Sequence, residues 1–440
     1  MVRVRFAPSP TGYIHIGNLR TALLNWLFAK QNNGTFLLRF DDTDAERSKA
    51  EFVEAIKDDL AWLGLTYDEM AFQSHRLNRY DEVRDQLITQ GLLYPCYETS
   101  DELEKKRKVQ RAQGKPPVYD RSALALSQEQ RDMYEREGRK PHWRFLLSNE
   151  AIHFHDLIRG DVTLDSGSLS DPVLIRADGS YLYTLSSVVD DVDFGITHII
   201  RGDDHVSNSA VQIEIFRALQ AEAPSFAHHS MLVDEHGGPL SKRLGGLSIQ
   251  NLRADGYEPG ALLTYLAQLG HGEPVEISQD PIGLTEGFSL SRLSKAPARL
   301  FVSELDAING KILSTTPFDS VAERLPNDPK MQEIWPIIRD NVTFLNDVEA
   351  WLSYFYGERD TVILDENLRQ AAIDLLPEGP FDEQTWATWT GLIKSKTGLS
   401  GKSLFMPLRQ ALTGQSRGPE MAMLLPLLDR DLVLKRFEKA

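Results

Sequence analysis

The chain has 440 residues, of which 41% are hydrophobic and 25% charged, and its 48 basic and 64 acidic side chains leave a net charge of −16. This is enough apolar material to bury real cores, which excludes whole-chain disorder, and the lack of any run of about 18 apolar residues excludes a membrane-spanning helix. The single cysteine, Cys96, excludes an intrachain disulfide and a zinc site made of several thiolates.

In chain order, Val2–Phe6 alternates apolar and basic residues and stops at a turn made by Pro8, Pro10 and Gly12, which predicts a strand. Apolar residues at 19, 22, 23, 26 and 27 keep the helical period, so a helix opens near Asn18. Thr35–Phe40 reads as a second strand. Ala50–Leu63 and Asn78–Gln90 read as helices, the latter stopped by Gly91. Strand and helix alternating in this way predict a parallel sheet. The pattern breaks near Tyr94. Asp101–Lys140 is polar, carries the basic run Lys105–Lys108 and predicts an exposed helical stretch. Trp143–Ile175 reads as short strands with turns at Arg159-Gly160 and Ser166-Gly167, so residues 95–178 form an expected insertion. The α/β pattern then resumes with an apolar stretch at Leu182–Asp190, a strand at Thr197–Arg201, a helix at His205–Gln220 and a strand end at Met231–Val233. From about residue 255 nearly every segment looks helical.

Charge is unevenly spread. Asp347–Glu383 holds ten acids and two basic residues, whereas Gln384–Pro419 holds five basic residues (Lys394, Lys396, Lys402, Arg409, Arg417) and no acid. Such a window is a candidate anion-binding patch or a solvated basic face. The start of the chain lacks the long apolar stretch of a signal peptide, and the cytoplasm is the expected location.

Two clusters carry chemistry. Pro8-Ser9-Pro10-Thr11-Gly12-Tyr13-Ile14-His15-Ile16-Gly17-Asn18 lies between a strand and a helix. A helix N-terminus gathers unpaired N–H groups that suit a phosphate, Gly17 lets a nucleotide approach the backbone, and His15 can donate to phosphate oxygens. Pro239-Leu240-Ser241-Lys242-Arg243 lies between Gly237-Gly238 and Gly245-Gly246. Two adjacent cations on such a loop can close over a polyphosphate. A charge-assisted hydrogen bond made only in the transition state, at roughly 1.5–3 kcal/mol, gives about 10- to 150-fold in rate. Alone, either string is a short turn; together and in this order they are specific.

The two clusters resemble the signatures of class I aminoacyl-tRNA synthetases, written HIGH and KMSKS. The strings RFAPSPTGYIHIGNLRTALLNWLFA, LRFDDTD, TLSSVVDDVDFGITHIIRGDDH, LSKR and GKSLFMPLRQALTGQSRGPE are similar to bacterial glutamyl-tRNA synthetases over essentially the whole chain. The resemblance implies a Rossmann-like α/β catalytic domain at 1–94 and 179–235, interrupted by an α+β acceptor-stem-binding insertion at 95–178. A stem-contact segment with the LSKR loop at 236–302 and an all-α anticodon-binding region at 303–440 follow. It also implies ATP with Mg2+, L-glutamate and tRNA as substrates, a glutamyl-adenylate intermediate and a monomer.

Residue by residue, the resemblance gives His15, Asn18 and Lys242 catalytic roles and assigns ATP to His15, Gly17, Asn18, Ser241, Lys242 and Arg243. Asn18 stands where the generic motif has histidine, and Pro239 stands where it has its first lysine. Glutamate, with two carboxylates and one ammonium, is assigned to Arg5, Ala7, Ser9, Asp41, Tyr183, Arg201 and His205. Arg5 is expected to take the side-chain carboxylate, Arg201 the α-carboxylate and Asp41 the ammonium. A capping and turn cluster is the bland alternative for Asp41, Asp42 and Asp44. Some family members bind zinc in the insertion through several cysteines. With Cys96 alone beside Glu98 and Tyr119, no zinc is expected. Trp386, Trp389 and Phe405 either stack on bases or pack in the core. A non-catalytic tRNA-binding paralogue is the alternative reading, opposed by the retained ATP signatures. A queuosine-modifying paralogue lacks the C-terminal region, and glutaminyl-tRNA synthetase has β-barrels there.

Overall fold

The computed structural model of the chain describes residues 1–240, 248–357 and 364–440. Two compact units result, one of residues 1–252 with 263–301, the other of 253–262 with 302–440.

In the first unit β1 (Arg3–Phe6), α1 (Ile16–Gln31), β2 (Thr35–Phe40), α2 (Ala50–Trp62), β3 (Glu69–Phe72) and α3 (Leu77–Thr89) alternate. The three strands pair in parallel in the order β1-β2-β3. Phe36 to Phe40 of β2 are all buried, so this strand reads as a continuous apolar run broken only by Arg39.

The chain then forms β4 (Leu93–Cys96), α4 (Ser100–Ala112), α5 (Gln128–Arg136), β5 (His142–Phe145), β6 (Ala151–Asp156), β7 (Gly160–Asp165) and β8 (Val173–Ile175). β4, β5 and β8 make an antiparallel sheet. α4 and α5 bury no residue, and each starts on a capping box, Thr99 with Glu102 and Ser127 with Gln130. The basic run on α4 divides: Lys106 turns toward Glu98, Arg107 pairs with Glu104, and Lys105 and Lys108 are exposed.

α6 (Tyr183–Asp193), β9 (His198–Gly202), α7 (Val206–Ala218) and β10 (Ser225–His229) restore the α/β alternation. Their sheet has the order β7-β6-β10-β9, with β10 parallel to both β9 and β6. β6 therefore belongs to this sheet, although the sequence pattern places it in the insertion. Its alternating hairpin looks the same whichever partner covers its apolar face. β9 abuts β1 through Thr197, whose amide donates to the Arg3 carbonyl at 2.9 Å. One consequence matters for function. Arg5, Arg201 and His228 each lie one residue before the end of a parallel strand, Asp156 ends one, and Asp41 directly follows one. Open α/β sheets bind ligands at these C-terminal strand ends.

The second unit is helical, with Val302–Thr315, Met331–Ile338, Asp347–Tyr356, Glu366–Asp374, Thr385–Thr397, Lys402–Thr413 and Arg430–Glu438 among its helices. Gly398 and Gly414 end two of them in the left-handed conformation, φ 73° and 71°. Trp335 and Trp389 are fully buried in its core. The three aromatics of the basic window separate: Trp389 is core, Trp386 is partly covered and meets both other rings, and Phe405 is exposed. Lys396 pairs with Asp374, while Lys394, Lys402 and Arg417 are exposed.

Candidate active site

The first cluster forms the loop after β1 and the start of α1. His15 is the N-cap of α1: its Nδ1 accepts from the amides of Gly17 at 3.0 Å and Asn18 at 3.4 Å, and the Asn18 side chain accepts from the His15 amide. A nitrogen that accepts carries no proton, so the imidazole is protonated on Nε2 and keeps that N–H for another partner. Burial lowers the His15 pKa, which keeps the ring neutral. Gly17 has a local reason to be glycine, since a Cβ there would stand 2.9 Å from the His15 ring. Ser248 bridges His15, and the Ile249 amide donates to the Ile14 carbonyl. The chain just after the second cluster is thus fastened to the first. Ser241, Lys242 and Arg243 themselves lie outside the described residues.

The ends of β1 and β2 hold a buried ionic network. Asp191 of α6 is 1% exposed; it accepts from Arg5 Nε at 3.1 Å and from Arg39 Nη1 at 2.7 Å. Arg39 also donates from Nε to Asp41 at 2.7 Å and lies 3.7 Å from Asp190. Asp190 in turn accepts from Gln73, Arg76 and Tyr80. Three carboxylates thus share Arg39, whose pKa they raise despite its complete burial. Burial outweighs the part of Arg39 available to Asp41 and pushes that carboxyl up to about 6. The Asp41 amide donates to Pro8, so Asp41 sits against the loop that carries Ala7 and Ser9.

Arg201 is 5% exposed and has a different environment. Its Nε donates to His228 Nε2 at 3.3 Å, Nη1 to the Tyr183 hydroxyl at 2.9 Å, and Nη2 to Ser209 Oγ at 2.6 Å and Gln212 Oε1 at 2.7 Å. Four of the five guanidinium N–H groups are used, and each acceptor is neutral. Among the described residues no carboxylate is hydrogen-bonded to Arg201. Burial depresses its pKa, and the nearby Arg5 charge depresses it further. A buried cation without an anion is costly, and a ligand carboxylate placed there removes that cost. Tyr183 can supply a second donor, because its oxygen accepts from Arg201 and its proton is left to point elsewhere. His205 lies beside Tyr183, ring centroids 5.8 Å apart, and its pKa is lowered by burial and by Arg201. Arg5, Asp41, Tyr183, Arg201 and His205 are therefore gathered in one electrostatic neighbourhood, with one Arg201 Nη1 hydrogen, the Arg5 Nη1 hydrogens, the Tyr183 hydroxyl and the Asp41 carboxylate left for a ligand.

Residues 1–307 match the family model "tRNA synthetases class I (E and Q), catalytic domain", and residues 312–440 match "Anticodon binding domain". The chain belongs to the class I tRNA synthetases of the E and Q type. In this family it is 50% identical over 439 residues to "Glutamate--tRNA ligase 1" of Maricaulis maris, covering 99% of each chain. It is equally 50% identical over 438 residues to "Glutamate--tRNA ligase 2" of Hyphomonas neptunium, covering 98% of each. A crystal structure of a glutamate tRNA ligase from Elizabethkingia meningosepticum, in complex with its amino acid, superposes with a TM-score of 0.85 at 27% identity, covering 100% of this chain and 98% of the other.

At β4 and β5, Cys96, Glu98 and His142 bring their ligand atoms within 4.8 Å of one another. Glu98 Oε2 and His142 Nε2 are buried without a hydrogen-bond partner. The donor set is nevertheless poor for zinc. Three donors, only one of them a thiol, fall short of the four that a structural zinc site uses. The His142 pKa is lowered by burial and by Arg144. Lys106 already sits 3.2 Å from Glu98 and 3.2 Å from Asp120. Tyr119 also donates to Glu98, at 2.8 Å.

Sequence reasoning missed Arg39, Asp156, Asp190, Asp191, Ser209, Gln212 and His228. Asp190 and Asp191 stand in the quoted string TLSSVVDDVDFG, where two acids inside an apolar helix were the available signal.

Proposed function

We propose that this chain is a glutamate–tRNA ligase. Glutamate attacks ATP to give an enzyme-bound glutamyl-adenylate and pyrophosphate, and the glutamyl group then passes to the terminal adenosine of tRNA with release of AMP. The observation that carries this reading is the charge pattern of the pocket. Two buried arginines, Arg201 held by neutral partners alone and Arg5 shared with Asp191, stand with the Asp41 carboxylate, a pattern that suits an amino acid with two carboxylates and one ammonium.

Arg5 and Arg201 bind the carboxylates, Asp41 faces the ammonium, and Tyr183, His205, Ala7 and Ser9 line the pocket. His15 donates from Nε2 to an ATP phosphate, Asn18 and the first turn of α1 position the nucleotide, and Gly17 keeps the approach open. Mg2+ travels with ATP and neutralises its polyphosphate. Lys242 and Arg243 supply cationic stabilisation, and Ser241 a hydroxyl donor, as the α-phosphorus passes through its pentacoordinate transition state. Residues 95–178 meet the acceptor stem, 236–302 contact the stem further along, and the exposed basic residues within 303–440 meet the anticodon arm. In the insertion the Lys106 ammonium, rather than zinc, ties Glu98 to Asp120. The enzyme works as a cytoplasmic monomer.

The test is ATP–pyrophosphate exchange with tRNA present, comparing glutamate, glutamine and aspartate. Exchange with glutamate alone is the expected result. No exchange with any of the three favours the non-catalytic tRNA-binding reading.

A further inference from the structure

Arg201 is held by a second layer of residues with a definite hydrogen-bond polarity. His228 and Arg201 are directly opposed in the β9–β10 register. His228 Nδ1 lies 2.6 Å from Asp156 Oδ2, and both side chains are fully buried. Hydrogen bonds from His228 and from backbone amides hold the Asp156 carboxyl in its ionised, acceptor-only state. The proton between them therefore belongs to Nδ1. On the other side of the ring Nε2 meets Arg201 Nε, which can only donate, and Ser209 Oγ at 2.9 Å. Because Ser209 Oγ accepts from Arg201 Nη2, its own hydrogen is available to Nε2. Gln212 has a fixed polarity as well, since its amide nitrogen donates to Ser187 and its oxygen must face Arg201.

We propose that Asp156 and His228 are positioning residues for amino-acid binding: Asp156 fixes the His228 tautomer, and the fixed tautomer holds the Arg201 guanidinium plane in the orientation that receives a glutamate carboxylate. The proposal rests on the reading of Arg201 as a glutamate-binding residue. Neither positioning residue touches the substrate. Their route to the site is a relay across neighbouring strand ends, from β6 through β10 to β9.

Asp156→Asn separates this role from a structural one. Asp156 Oδ1 accepts from the amides of Ile158 at 2.9 Å, Arg159 at 2.8 Å and His228 at 3.3 Å, and an Asn carbonyl in that place keeps all three bonds, losing only the His228 amide contact to Oδ2 at 3.1 Å. The Asn amide then faces His228 Nδ1 and donates to it, which moves the ring proton to Nε2. Ser209 can turn to accept that proton, but Arg201 Nε cannot, and two N–H groups confront each other. In the full-length enzyme, assayed with tRNA, the expected result is a glutamate KM raised about tenfold or more, the size of one charged hydrogen bond. The ATP KM and the kcat at saturating glutamate stay within about twofold, since the lost interaction is one of ground-state binding. Nitrogen-15 NMR of the histidines is expected to show the His228 proton on Nδ1 in the wild type and on Nε2 in the variant.

An unchanged glutamate KM in Asp156→Asn overturns the proposal. So does a fall in kcat with a rise in both KM values and lost thermal stability, which is the signature of a merely structural residue. A wild-type His228 protonated on Nε2 overturns it without any variant. Arg201→Gln separates the two levels: if it leaves the glutamate KM unchanged, the pocket reading itself fails, whereas if it raises that KM and Asp156→Asn does not, only the relay fails.

Discussion

Asp191→Asn should weaken both the fold and the pocket. In the wild type the Asp191 carboxylate bridges Arg39 at 2.7 Å and Arg5 at 3.1 Å, with no accessible side-chain surface. An Asn has one acceptor oxygen. Its carbonyl in place of Oδ1 can keep both Arg39 Nη1 and Arg5 Nε, but its amide in place of Oδ2 then meets Arg5 Nε and Nη2, each 3.4 Å from that position, donor against donor. Arg5 keeps at most one neutral acceptor and loses the carboxylate charge hydrogen-bonded to it, so its buried cation is left without an anion at hydrogen-bond distance. Removing one side of a buried ion pair costs about 3–5 kcal/mol. Arg39 keeps Asp41 and lies near Asp190, so the cost falls at the low end, about 3 kcal/mol. At about 2 °C per kcal/mol for a large unit, the melting temperature should fall by about 6 °C. The glutamate KM should rise at least about tenfold, because Arg5 no longer has a fixed direction. Thermal unfolding followed by far-UV circular dichroism and steady-state charging kinetics read the two effects. The control is Asp193→Asn, which loosens Arg76 and Arg79 at the surface and should cost less than about 1 kcal/mol. If Asp191→Asn and Asp193→Asn are indistinguishable in both assays, the network does not hold Arg5 and the reasoning is refuted.

Three further outcomes are expected. Asp41 must be ionised to hold an ammonium, and with its carboxyl pushed up to about 6 the glutamate KM should climb by up to about tenfold per pH unit below that point. Asp41→Asn should flatten this limb, and a wild-type KM constant from pH 7 to 5 would sink the assignment. Gly17→Ala drives a Cβ toward the His15 ring, which then leaves the α1 cap at a cost of about 1 kcal/mol. Glutamate activation should drop well beyond any change in tRNA affinity measured by filter binding, and equal losses in the two would contradict the role of His15. Purified enzyme should contain far less than one zinc per chain by elemental analysis. A chelator should leave its melting temperature unchanged, whereas Lys106→Met, which removes the cation between Glu98 and Asp120, should lower it.

Much of the scaffold could be read from short-range patterns. Thr35–Phe40 and the helix at Ala50 stand where apolar runs and periodicity put them, because a strand between two turns and an amphipathic helix advertise themselves locally. Arg5, Asp41, Tyr183 and Arg201 were singled out as glutamate-binding candidates through family resemblance, not spacing. What holds them was not legible. Arg5 and Asp191 are 186 positions apart, Arg39 and Asp191 are 152 apart, and Asp156 and His228 are 72 apart. No local period encodes such pairs; they exist only once the sheet order is set. The same limit explains β6, whose alternation states that one face is covered but not by what. Lys106 shows it at the scale of one side chain: inside a basic run that reads as a solvated face, it turns inward to Glu98.

The central claim is that this chain joins glutamate to tRNA at the expense of ATP. It is tested most directly by charging purified glutamate tRNA and glutamine tRNA, side by side, with labelled glutamate, glutamine and aspartate. The account predicts ATP-dependent esterification of glutamate and of neither other amino acid, with glutamate tRNA as an acceptor. Charging with glutamine, or no charging of either tRNA by a folded enzyme, would contradict it.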